Sequence, residues 1–424
     1  MRNLFQQINL KTILIIILFF LLGWQLGHRD VQVKWATYRP TVSIINKEPP
    51  QNIDLDFKLF WDTWDFLSRS YFDKKAIDPT KLFYGAISGM VAALGDPYTV
   101  FLPPEQQKFS KEELNGSFEG VGIQLGFNKE KRLVVVAPLS GTPAEEAGIK
   151  PEDMIVKIGD KDTTNMTLPE AVNLIRGTKG TKVILTIFRD GESDTREFTL
   201  VRDTIIVKSV EVSYKQSLSS GEGKNTNSGK KVAVVKLSRF GERTQSEWNE
   251  AVSSLLSENV GAMVLDLRNN PGGFLDGAVF IASEFLDGGA VVLQENSEGE
   301  RTSFRVTRAG KLISIPLKVL INKGSASASE IVAGALQDRG RAELVGEKSF
   351  GKGTIQEAQD LSEGAGIHIT VAKWLTPNGK WVNDTQGIEP DVKIESSNEN
   401  LSSGDSEDDT TKDPQLDKAL ELLD

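Results

Sequence analysis

The 424-residue sequence contains no cysteine. That excludes a thiol nucleophile, a disulfide and a thiolate zinc site. Histidine is almost as scarce, with His28 and His368 the only two. A three-His zinc site is therefore impossible, and the HExxH pattern is absent. His28 lies beside an N-terminal apolar run, so a Ser-His-Asp triad would have to use His368. That residue sits in Gly366-Ile-His-Ile-Thr370, whose alternation predicts a strand. A lone polar residue on a strand face reads as structural, so any hydrolytic base is Lys, Asp or Glu. Positive charge is also short: 49 Lys and Arg stand against 59 Asp and Glu, a net charge of −10. Phosphate binding needs a basic face, so nucleic acid is not the expected partner. Nothing in the sequence implies a metal or an organic cofactor.

Hydrophobic residues make up 39% and charged residues 25%, the balance of soluble globular domains. The length predicts two to four of them. Arg2 and Lys11 precede the apolar run 13–26, and no small-x-small cleavage site follows. Trp24 and Arg29 read as interface anchors. Residues 1–30 are thus expected to be an uncleaved signal anchor in the cell membrane, with the body in the periplasm or outside the cell. Residues 31–53, with Pro40, Pro49 and Pro50, read as a linker. Phe57, Phe60, Trp61, Trp64, Phe66, Leu67 and Tyr71 recur at helical spacing, and a second helix is predicted over Lys81–Leu94. Together they suggest a helical N-terminal domain over 54–104, whose aromatics serve either internal packing or a contact between copies of the chain.

From about 118 the pattern changes to short strands and turns. Gly120–Leu125, Leu133–Ala137, Asp153–Gly159 and Val183–Arg189 read as strands, with helices over Thr142–Gly148 and Leu168–Arg176. This order, with Gly120-Val-Gly-Ile123, Ser140-Gly-Thr-Pro-Ala-Glu-Glu-Ala-Gly148 and Asp153-Met-Ile, resembles a PDZ domain, assigned to 105–203. A PDZ domain binds a peptide by strand addition and holds its terminal carboxylate on adjacent N–H groups. Gly120, Val121, Gly122 and Ile123 are the residues expected to do so. Protein or peptide tails with free C-termini are the implied partners.

Residues 204–395 alternate apolar strands with helices, the pattern of an α/β core, interrupted by a polar insertion at 215–230. An acidic segment, 396–412, reads as disordered and 413–424 as a short docked helix. Two segments of the core stand out. In Val319–Leu336 a buried strand, a small-residue turn and a helix follow one another. Ser327 and Glu330 there fit a capping box, but a serine at a helix N-terminus is also exposed beside amides that favour an oxyanion. The second segment is Val345–Gln356, with Lys352 between Gly351 and Gly353. Lys352 and Gln356 are expected to share one face of a strand.

Taken together these segments resemble the C-terminal processing (tail-specific) peptidase family, over about 56–393. The resemblance implies a multidomain α+β protein: an N-terminal helical segment, a PDZ domain and an α/β catalytic core of the crotonase/Clp-protease-like type. It implies that Ser327, the middle serine of Ser-Ala-Ser-Ala-Ser, is a nucleophile. Lys352 in Phe-Gly-Lys-Gly would be its base and Gln356 a support for the lysine. The turn in Val264-Leu-Asp-Leu-Arg-Asn-Asn-Pro-Gly-Gly273 would supply an oxyanion amide from Gly272 or Gly273, alongside that of Ala328. Arg189, at the end of the last PDZ strand, is a regulatory candidate that would dock the PDZ domain over the site. A catalytically silent PDZ scaffold would keep the glycines but has no need of Ser327, Lys352 and Gln356. A crotonase-like enzyme acting on coenzyme-A esters fits the PDZ segment and the export signal less well.

Overall fold

The computed structural model describes residues 17–20, 31–36, 39–44, 56–216, 230–395 and 413–423. Most of the predicted anchor, the insertion from 217 to 229 and the acidic segment 396–412 lie outside them. No described helix is long and apolar enough to cross a membrane. The chain divides into two compact units, Met1–Pro79 and Thr80–Asp424.

In the first unit the linker expectation fails. Strands β1 (Val31–Ala36) and β2 (Arg39–Ile44) pair antiparallel, with Trp35 opposite Pro40. The alternation of Val31, Val33 and Trp35 outweighs the proline, which a two-stranded sheet tolerates because both strands are edges. Helix α1 (Lys58–Ser70) carries the aromatic stripe and buries none of its residues. The rings of Phe60 and Trp61 meet edge to face with centroids 5.0 Å apart.

Helix α2 (Pro79–Ala92) leads to the turn Asp96–Thr99 and to β3 (Val100–Leu102), a strand the sequence reading placed in a helical domain. Helix α3 (Pro104–Asn115) follows and ends at Gly116, which has φ +64°. Next comes the PDZ domain. It comprises β4 (Ser117–Gly120), β5 (Ile123–Phe127), β6 (Leu133–Pro138), α4 (Pro143–Glu146), β7 (Met154–Ile158), β8 (Lys161–Asp162), α5 (Leu168–Ile175), β9 (Lys182–Phe188), β10 (Arg196–Val201) and β11 (Asp203–Ile206). Its main sheet runs β10-β9-β7-β6-β5, with β8 on β7, and β4 pairs separately with β11. Gly120–Leu125 is thus two strands rather than one, broken at Val121 and Gly122. A capping box between Thr167 and Glu170 starts α5.

The core begins with β12 (Val210–Gln216), so strand covers the first two residues of the predicted insertion. It continues through β13 (Lys231–Leu237), α6 (Thr244–Ser257), β14 (Ala262–Asp266), α7 (Leu275–Ala282), β15 (Ala290–Glu295), β16 (Arg301–Arg305), β17 (Leu317–Ile321), α8 (Ala328–Asp338), β18 (Glu343–Gly346), β19 (Thr354–Asp360), β20 (Gly366–Leu375), β21 (Val392–Lys393) and α9 (Pro414–Glu421). One sheet runs β12-β13-β14-β17-β18-β21, parallel except for β12. Its strands are apolar on both faces because both are covered. Val235, Met263, Leu265 and Val319 face α6, α7 and α8, while Val234, Val264, Leu320 and Val345 face α9. Leu420 and Leu423 of the C-terminal segment pack on that second face. Arg268 fixes the start of α9 through paired hydrogen bonds to Asp266 and Asp413. A second, antiparallel sheet runs β16-β15-β20-β19, with β3 on β20.

Candidate active site

Ser327 stands between the end of β17 and the start of α8. Its φ of +56° is a left-handed conformation uncommon for a residue with a side chain. The turn is forced by close packing. A Cβ on Gly272, itself at φ +102°, would fall 2.8 Å from the Ser327 Cβ and 2.9 Å from Ala328 N. The Pro271-Gly-Gly273 turn therefore lies directly against the head of α8.

Glu330 holds this arrangement together. It is fully buried. Its Oε2 accepts from Ser327 N at 2.8 Å and from Lys352 N at 2.9 Å. Its Oε1 accepts from Ser349 Oγ and Gly351 N, both at 2.6 Å. One carboxylate thus ties the turn carrying Ser327 to the loop carrying Lys352. Burial pushes its pKa up, and the hydrogen bonds oppose that rise. Ser327, Ala328, Gly272, Gly273, Lys352 and Gln356 line one cavity of about 370 Å³. Leu275, Ile331, Ile355 and Trp374 make its remaining wall largely apolar, suited to a peptide side chain.

Two amides in this cavity have no hydrogen-bond partner among the described residues, those of Gly273 and Ala328. Gly272 N is already engaged, donating to Asn270 Oδ1 at 2.9 Å. The ambiguity between the two glycines therefore resolves toward Gly273 as the free donor. Burial lowers the pKa of Lys352, while the charges of Asp96 and Glu330 pull it back up. Lys348, four residues before Lys352, is ion-paired with Glu389 at 3.0 Å.

The shared strand face expected for Lys352 and Gln356 is not present. β19 starts only at Thr354, and a bulge shifts the register between Ile355 and Gln356. The bulge turns Gln356 into the cavity by another route. Its amide nitrogen donates to Thr354 Oγ1 at 2.8 Å and Thr370 Oγ1 at 3.2 Å. The expected bond from Gln356 to Lys352 is absent, and none joins Lys352 to Ser327. His368, read as structural, lies on the cavity wall. Burial, then the Lys352 charge, lowers its pKa and favours the neutral ring.

In the PDZ domain the N–H groups of Val121 and Gly122 also lack partners among the described residues. Gly122 has φ +77°, and a Cβ there would meet Thr142 at 2.4 Å. Gly120 ends β4 and Ile123 opens β5 opposite Pro138. Two free amides at a strand entry make a receptor for a carboxylate. Arg189 lies apart from the cavity. Its guanidinium binds Asp153 at 2.7 and 2.8 Å and donates to Gly148 O at 2.9 Å.

Residues 231–394 match the model of peptidase family S41, residues 134–189 that of the PDZ domain, and residues 33–106 that of the activating protease CtpB N-terminal domain. The chain is 37% identical over 354 residues to the carboxy-terminal processing protease CtpA of Bacillus subtilis, covering 83% of this chain and 72% of that protein. The chain belongs to peptidase family S41. The carboxyl-terminal-processing protease of Synechocystis is 39% identical over 356 residues, 80% of this chain and 81% of the relative. The solved photosystem II D1 C-terminal processing protease is 31% identical, covers 80% of this chain and 92% of its own, and superposes with a TM-score of 0.48. This S41 member is a C-terminal processing serine protease with a PDZ substrate-binding domain that takes peptide C-termini. A silent scaffold is thereby set aside.

Two features of this S41 site were not read from the sequence. Glu330 was visible only as a helix cap, because its contacts with Ser349, Gly351 and Lys352 span up to 22 residues. The turn Asp96–Thr99 comes from outside the core segment, yet Lys352 Nζ sits 5.0 Å above the Tyr98 ring. Its Asp-Pro-Tyr-Thr composition was a turn signal without a function attached.

Proposed function

We propose that this protease is an endopeptidase in which Ser327 attacks the peptide bond and Lys352 is its general base. Support comes from the Glu330 carboxylate, which holds the backbones of both residues with the same oxygen. Neutral Lys352 takes the Ser327 proton as Oγ bonds to the scissile carbonyl carbon. The developing oxyanion accepts hydrogen bonds from Gly273 N–H and Ala328 N–H. Lysinium then returns the proton to the leaving amine, the C–N bond breaks, and water hydrolyses the ester on Ser327. Gln356 orients Lys352 once the amine turns toward Ser327. The neutral amine is favoured by burial, which lowers its pKa.

The substrate tail binds by adding a strand beside β5, its carboxylate on Val121 N–H and Gly122 N–H. Arg189 couples capture to cleavage, which requires its pair with Asp153 to open. Residues 13–26 anchor the chain in the cell membrane with the body on the extracytoplasmic side, and the exposed aromatics of α1 join copies of the chain. The discriminating experiment incubates the protein with an unfolded substrate bearing an apolar C-terminus. Wild type is expected to cleave it internally, and Ser327→Ala and Lys352→Ala are expected not to. Full activity in either variant would remove the dyad. Extraction of the full chain from membranes by alkaline carbonate would remove the anchor.

A further inference from the structure

Lys352 has to carry a positive charge midway through each acyl transfer, inside a cavity walled largely by apolar side chains. The groups that face it are Glu330 from α8, His368 from β20, and Asp96 and Tyr98 from the turn before β3. Glu330 already accepts from three backbone N–H groups and the Ser349 hydroxyl. His368 is driven toward its neutral form by burial and by the Lys352 charge. That leaves the turn.

Asp96 is held firmly. Oδ1 accepts from Tyr98 N at 3.0 Å and Oδ2 from Thr99 Oγ1 at 2.6 Å. Thr99 Oγ1 in turn accepts from Thr370 N at 3.0 Å. The Thr370 hydroxyl also receives a hydrogen bond from Gln356. The turn is therefore joined to the same strand residue that anchors Gln356. Burial raises the Asp96 pKa, but hydrogen bonds from Thr370, Thr99 and Tyr98 and the charge of Lys352 bring it below the usual value, so the carboxylate is ionised at neutral pH. The Tyr98 ring presents its face to the Lys352 ammonium at 5.0 Å, within cation–π range.

We propose that Asp96 and Tyr98 are positioning residues for the lysinium, a carboxylate and a ring face that receive the Lys352 ammonium after it has taken the serine proton. The proton stays on Nζ throughout. The turn stabilises the charged lysine until the leaving amine accepts that proton, and the same seat holds the side chain away from Ser327 before substrate arrives. This role rests on the Ser327–Lys352 reading and extends it to a segment outside the core.

The test is the pH profile of kcat/KM on a fluorogenic peptide, using the full chain. Asp96→Asn keeps an acceptor oxygen for Tyr98 N and places an amide NH2 against Thr99 Oγ1, so it removes the charge while one of the two hydrogen bonds reverses direction. Its acid limb is expected at lower pH than wild type, because an amine without its counter-charge loses its proton more readily, and its plateau kcat is expected to fall about tenfold. Tyr98→Leu is expected to lose about tenfold in kcat, with Tyr98→Phe restoring activity to within about threefold. Thermal unfolding of each variant separates folding defects from these effects. An acid limb for Asp96→Asn that coincides with wild type, or Tyr98→Phe as impaired as Tyr98→Leu, overturns the proposal and leaves the dyad intact. Activity in Ser327→Ala measured alongside would instead overturn the dyad.

Discussion

The PDZ domain and the core each present a pair of backbone amides at a glycine turn with no partner among the described residues: Val121 and Gly122 in one, Gly273 and Ala328 in the other. In the proposed function both receive a negatively charged oxygen. They differ in what stands beside them. Next to the PDZ pair lies a sheet edge, where the proposed peptide strand would extend the β5 side and its carboxylate arrive already charged. Next to the core pair stand Ser327 in a left-handed conformation and Lys352 with a depressed pKa. There, in the proposed mechanism, the oxygen becomes charged only as the reaction proceeds. On the proposed reading the same backbone device binds a ground state in one place and a transition state in the other, and only the second accelerates a reaction.

That comparison breaks most sharply at the nucleophile. Ser327→Ala is expected to lower kcat by roughly ten-thousandfold or more while leaving tail-peptide affinity unchanged, checked by peptide hydrolysis and isothermal titration. Loss of tail binding in that variant would mean the two amide pairs do not act separately. Glu330→Ala should come next. It leaves three backbone N–H groups without their acceptor, so kcat/KM is expected to fall about a hundredfold and stability by about 3 kcal/mol, read by denaturant unfolding. Gly122→Ala acts on the other pair. Its Cβ would collide with Thr142, so tail-peptide affinity is expected to weaken at least about tenfold, with hydrolysis of a short amidated peptide preserved.

Arg189→Ala is expected to have the least effect on the chemical step. Asp153 is 1% exposed and loses its bidentate partner, which is expected to cost the PDZ domain about 3 kcal/mol. Cleavage of an amidated peptide should be unchanged, and only the stimulation by a free tail should be lost. Unchanged stimulation would end the coupling role assigned to Arg189.

The legible and illegible parts of the site divide along the same physical line. Ser327, Lys352 and the Pro271-Gly-Gly273 turn, which meet at one cavity, were each legible as part of a short run of distinctive local composition. The alternation of β5, β6, β7 and β9, and the doubly apolar strands of the core sheet, were readable for the same reason. Contacts between distant segments were not. Glu330 looked like a cap, and nothing local to it announces Gly351 or Lys352. The bulge at Ile355 and Gln356 broke a strand-face argument that assumed strict alternation. The 31–44 hairpin was missed because prolines were given more weight than alternating Val and Trp. His368 was judged by its strand alone, whereas the cavity it faces is assembled from β19, α8 and the 271–275 turn.

The reading of the core rests on an amine that is neutral where lysines are ordinarily charged. Direct titration of the Lys352 side chain, by NMR of protein labelled with [ε-13C]lysine and assigned through Lys352→Met, tests this most directly. The expected result is a resonance that titrates below the ordinary lysine value of about 10.4, at the same pH as the acid limb of kcat/KM. A Lys352 resonance that titrates at the ordinary value, with the acid limb elsewhere, would contradict it.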